Sequence, residues 1–87
     1  MSVFIITYDF FKSRTFYKGF FEKINTYDNC YIFNSTWLIK SNEKAEEIWE
    51  KFRNYIDAND ELLVMEVAAD FSGFLSEESW DYLDKAF

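Results

Sequence analysis

The run Val3-Phe4-Ile5-Ile6-Thr7-Tyr8-Asp9-Phe10 constrains the fold more than any other stretch. Six apolar or β-branched residues follow one another, and then a carboxylate appears. A short run of this kind predicts a strand buried on both faces, and therefore a central strand. A carboxylate inside such a strand would cost several kcal/mol to desolvate, roughly, whereas one at its end stays hydrated or meets a cation. Asp9 sits at that end and is the first candidate for chemistry.

The rest of the chain alternates helical and strand patterns. Phe16, Phe20, Ile24 and Tyr27 recur at helical spacing, with Tyr17 and Phe21 beside them, and predict a helix over about 14–27 capped by Ser13. Gly19 inside it points to a close approach, expected to be against the sheet. Asp28-Asn29 breaks the pattern. Residues 30–33 and 36–40 then read as two strands joined by Asn34-Ser35, an antiparallel hairpin. Ser41 looks like an N-cap for a helix over about 42–56, with Ala45, Ile48, Trp49, Phe52 and Ile56 on one face. Asp57-Ala58-Asn59-Asp60 has turn chemistry, and 61–67 reads as a fourth strand. Ser76, Glu77 and Glu78 open a C-terminal helix, with Leu75 placed to staple onto Trp80 and with Leu83 and Phe87 on its apolar side.

This order, β-α-β-β-α-β plus a helix, predicts an α+β ferredoxin-like domain over residues 1–87. It would have a four-stranded antiparallel sheet, strands one and three central, and two helices on one face. A chain of 87 residues buries only ~60–65% of its unfolded surface and is marginal alone. Aromatic residues, 23% of the total, compensate with a dense core. Their surplus implies a contact surface, most simply a homodimer interface over the open sheet face.

Charge and composition narrow the chemistry. Net charge is −7, and residues 41–87 carry thirteen carboxylates against four cations. Such a chain repels phosphate backbones, so direct nucleic-acid binding starts at a disadvantage. Lys12, Arg14, Lys18 and Lys23, interleaved with Phe11, Phe16 and Tyr17, are the one basic-aromatic cluster placed to offset it for single-stranded nucleic acid. The absence of His removes Ser-His and Cys-His nucleophile pairs. The lone Cys30 excludes an internal disulfide. A metal would need oxygen ligands, hence Mg, Mn or Ca, and the spacing of Asp57, Asp60, Glu61 and Asp70 is not that of a calcium loop. No apolar run is long enough to cross a membrane and no signal-peptide pattern opens the chain, so the expectation is a cytoplasmic protein without membrane partners.

Several segments carry a family resemblance. Ser2 to Asp9, Ser35-Thr36-Trp37-Leu38-Ile39, Ile56-Asp57 to Asn59-Asp60-Glu61-Leu62, and Gly73-Phe74-Leu75-Ser76 with Trp80 resemble short bacterial and phage proteins labelled the SinR family. Through the fold plan, Tyr8-Asp9 and Ser35-x-Trp37, the chain is distantly similar to CRISPR-associated protein two, the small dimeric subunit of the spacer-acquisition complex. That resemblance implies a homodimer. It also implies that Asp9, paired with its mate across the dimer axis, holds Mg or Mn for phosphodiester cleavage.

Three functions follow as expectations. The chain is a non-catalytic dimeric binding module acting by protein contact in a CRISPR or phage-defence setting. Within that reading, it is a phage-encoded, anti-CRISPR-like inhibitor. Its acidic helix face, Glu43, Glu46, Glu47 and Glu50, would imitate phosphates against a basic nucleic-acid-binding protein, with Tyr8 and Trp80 as further contact residues. The alternative is a metal-dependent nuclease using Asp9.

Overall fold

A computed structural model describes residues Met1–Phe87. The chain runs β1 (Ser2–Asp9), a 3-10 turn (Arg14–Tyr17), α1 (Lys18–Ile24), β2 (Asp28–Phe33), β3 (Thr36–Ser41), α2 (Ala45–Phe52), a second 3-10 turn (Arg53–Tyr55), β4 (Glu61–Val67) and α3 (Glu77–Ala86). The four strands form one antiparallel sheet in the order β2-β3-β1-β4. β3 and β1 take the two central places, as right-handed crossovers require.

Alternation along β1 sorts the core into two layers. Phe4 and Ile6 point to one face and join Ile39 with Tyr17, Phe20, Ile24, Ile48 and Phe52 from the helical segments. This main core is close to fully buried, half of it aromatic and half Ile. Val3 points to the other face and meets Leu38, Cys30 and Leu83 of α3. The C-terminal helix therefore docks on its own chain, and its Tyr82 hydroxyl donates to the Asp28 carbonyl of β2 at 2.9 Å. Burial pushes the Cys30 thiol above its ordinary pKa, as suits a packing residue rather than a nucleophile.

Several boundaries differ from the sequence reading, each for a local reason. The first helix stops at Ile24, not 27, because the Thr26 hydroxyl donates to the Lys23 carbonyl and turns the chain. Asp28-Asn29 lies beyond the helix as expected but already belongs to β2, which starts two residues before Cys30. Ser13 takes the N-cap place by backbone alone, without a side-chain bond. Ser41 ends β3, paired with Ser2, so α2 starts only at Ala45 and gives way to a 3-10 turn at Arg53. Ser76 does cap α3, accepting from Ser79 N at 3.3 Å. Trp80 is half-buried against the α3-side cluster, while Phe87 is exposed beside the Phe71 ring.

Gly19 faces Tyr55, not the sheet. A Cβ there would lie 2.7 Å from Tyr55 Cδ1. Ala is favoured over Gly in a helix by about 0.8–1 kcal/mol, but here the ring blocks that gain. Gly19→Ala is therefore expected to destabilise the protein. In a Tyr55→Ala background the same change should stabilise by about 1 kcal/mol. Urea denaturation of the four-member cycle reads the sign reversal.

Candidate functional site

Asp9 leaves the sheet exposed, directly opposite Glu61 on β4. Opposed residues on neighbouring strands stand roughly 4.5–5.5 Å apart at Cβ, and like charges so placed repel. Neither carboxylate has an ion-pair partner. Lys12, a natural partner for Asp9 by sequence, pairs with Asp57 at 3.2 Å, and Arg14 lies over the Phe21 ring. Asp9 and Glu61 thus line a shallow depression with Thr7 and Leu63. Two carboxylates of one chain are few for a metal, and no cluster of three or more acidic or Cys side chains forms within the chain. A cation there would need ligands from a second copy or from a substrate.

Tyr8 is half-buried in an aromatic column. Its ring stacks on Phe10 at 4.0 Å, and Phe10 stacks on Tyr17 at 3.9 Å. Its hydroxyl accepts from Trp37 Nε1 at 3.1 Å. Burial raises the Tyr8 pKa despite that bond. Trp80 lies on the opposite sheet face, in the α3 layer, so Tyr8 and Trp80 do not share a site.

The acidic helix face is largely engaged internally. Glu43 precedes α2 and accepts from the Tyr27 hydroxyl at 2.8 Å and the Ser41 hydroxyl at 2.9 Å, while Lys51 pairs with its other oxygen. Glu47 accepts from Lys44 N, and Glu50 pairs with Arg53. Glu46 alone among the four has no such partner; it borders a groove beside Trp49 and Leu63.

Glu43 also gives a pH prediction. Burial opposes its charge, but Lys51, Tyr27 and Ser41 outweigh burial and hold its pKa below the usual carboxylate value. A lowered folded-state pKa stabilises the fold above the unfolded pKa, and that stability is lost as pH falls through the folded value. Glu43→Gln is expected to cost about 1 kcal/mol at neutral pH and to flatten the acid limb of stability. Thermal unfolding across that range checks both.

The sequence missed two features. The first is Asp60, whose Oδ1 accepts from Phe11 N and Tyr17 Oη, at 2.6 and 2.8 Å, and whose Oδ2 accepts from Asp57 N at 2.7 Å. It binds the loop after β1 to the turn before β4. The second is an uncovered strip of sheet. On the α3 side, Val67 and Ile5 pack against the helix layer, but their neighbours Met65 and Leu63 are 53% and 52% exposed. Alternation within β4 was the available signal, because an outward row Leu63, Met65, Val67 can be read directly from the sequence.

No family model, curated protein or solved structure matches the chain.

Proposed function

We propose that the chain is a ferredoxin-like binding module that works as a homodimer through protein contact. The observation that carries this reading is the exposed Leu63–Met65 row. α3 covers the second sheet face over β2, β3 and the start of β1 and leaves Leu63 and Met65 on the β4 edge open. Exposed rows of large apolar side chains on a sheet mark contact surfaces. A second copy bringing the same strip would cover both through a two-fold contact. The sequence resemblance supplies the setting, a CRISPR or phage-defence system, and the acidity suits an inhibitor of a basic partner. Since Glu43, Glu47 and Glu50 are engaged within the chain, Glu46 and the exposed acids of α3, Glu77, Glu78, Asp81 and Asp84, are among the acids left free for such a partner.

The uncompensated Asp9–Glu61 pair favours one second reading, a metal-dependent nuclease. A dimer that brought two such pairs together would present four carboxylates to Mg or Mn. The deciding experiment incubates the protein with single- and double-stranded DNA and RNA in Mg or Mn. The binding-module reading expects intact nucleic acid. Cleavage that requires metal and disappears in Asp9→Asn would replace it with the nuclease.

A further inference from the structure

Beside the end of β1, on the side away from the Leu63–Met65 row, a cleft of about 230 Å³ is lined by several donors that the fold does not use, next to Lys12 and Tyr17, which are engaged by Asp57 and Asp60. Arg14 rests on the Phe21 ring, its guanidinium carbon 4.1 Å from the centroid, and pairs with no carboxylate. The Tyr8 hydroxyl accepts from Trp37, so its own proton is free to donate. Tyr31, Asn34 and Ser35 complete the wall. Their side-chain donors are likewise unengaged: Asn34 and Ser35 bond to Thr36 and Tyr8 through backbone carbonyls alone. Ser35, at φ 59°, holds the left-handed turn that closes the rim. Asp9 is the one carboxylate on the lining.

These donors come from β1, the 3-10 turn, β2 and the β2–β3 turn, so they converge from several directions. Such an array suits a tetrahedral oxyanion, and the guanidinium fork matches two of its oxygens. Asp9 would repel a bare anion but accepts from a hydroxyl or amine on whatever carries it. Tyr31, half exposed and in contact with Trp37, offers ring surface for a planar group. A phosphate monoester bearing a hydroxylated sugar and a flat ring has all three parts. Further phosphates would meet a chain of net charge −7, which disfavours a strand and selects the single unit. We infer that this cleft binds a free nucleoside monophosphate. The site adjoins the proposed dimer strip through Asp9, which also borders Leu63, and needs no second copy of the chain.

The test is a titration with adenosine 5′-monophosphate, followed by backbone and Arg side-chain resonances. Inorganic phosphate, adenosine and a 5′-phosphorylated oligothymidylate are titrated in parallel. Expected are saturable shifts centred on Arg14, Tyr31, Asn34 and Ser35, with the nucleotide at least about tenfold tighter than phosphate or adenosine. Arg14→Gln and, independently, Asn34→Ala should each weaken it, the first by about tenfold or more. Leu63→Lys should bind as the wild type does, so that loss of the dimer and loss of this site are told apart. Absence of saturation by about 10 mM, well beyond the weak end of specific binding, would overturn the inference. So would undiminished binding in folded Arg14→Gln, or tighter binding of the oligonucleotide than of the mononucleotide.

Discussion

Replacing Leu63 and Met65 together by Lys is expected to yield a folded monomer. Both side chains are half exposed in the isolated chain, and neither belongs to a core cluster. The change therefore costs the fold little, and the Lys stems can lie along the sheet with their ammonium groups in water. In a two-fold contact each substitution occurs twice. Fully burying an exposed Leu or Met side chain contributes about 1.5–3 kcal/mol; with about half of each already buried in the isolated chain, four of them carry roughly 3–6 kcal/mol of the association. Removing that and burying charge instead takes a micromolar dimer beyond measurement. Sedimentation velocity should give a single monomeric species whose circular dichroism and melting temperature remain those of a folded domain. Leu63→Ala should weaken the dimer without abolishing it. Raising salt should tighten the wild-type dimer, because two chains of charge −7 repel.

The largest expected loss of stability at a single polar position is at Asp60. One carboxylate satisfies two backbone N–H groups and the hydroxyl of Tyr17, whose ring is buried in the main core. The Tyr17 hydroxyl in turn accepts from Lys12 N at 3.0 Å. Burial, assisted by the neighbouring carboxylate, raises the Tyr17 pKa, so this phenol stays protonated and able to donate. Hydrogen bonds to a charged group contribute about 1.5–3 kcal/mol each when well buried. Asp60 is partly exposed, so Asp60→Ala is expected to cost about 2–4 kcal/mol in total. For a domain of this size that lowers the melting temperature by roughly 10–25 °C. Asp60→Asn keeps one acceptor oxygen and should lose about half as much. Tyr17→Phe, which leaves the two backbone bonds in place, should lose less than Asp60→Ala. A melting series across the three variants orders them; equal losses for Tyr17→Phe and Asp60→Ala would mean that the backbone bonds contribute nothing.

What the sequence revealed depended on how local the cause was. β4 was legible to the residue because a turn of Asp and Asn precedes it and an apolar run fills it. β1 was legible as a central strand because its apolar run continues on both faces, and β3 because right-handed crossovers place it beside β1. The start of α2 was not. Ser41-Asn42-Glu43 has the composition of a helix cap, yet Ser41 is held in β3 by pairing with Ser2, and its hydroxyl accepts from Glu43 N one step ahead of the helix. Gly19 was legible as a close approach but not its partner, since Tyr55 lies far along the chain. The same distance hid the role of Glu43, which meets Tyr27, and of Asp60, which meets Phe11 and Tyr17. Charge alone made Glu43 look like surface. Docking of α3 on its own chain was also illegible: Trp80 and Leu83 define an apolar side, but only the sheet shows what it covers. The exposed Leu63–Met65 row follows from that placement.

The most direct test of the account is the mass of the unmodified protein in solution, by light scattering at several concentrations through the micromolar range. Expected is twice the chain mass of 10.5 kDa, falling to the single-chain value only on dilution or with Lys at positions 63 and 65. A mass of one chain throughout, unchanged by those substitutions, would contradict it.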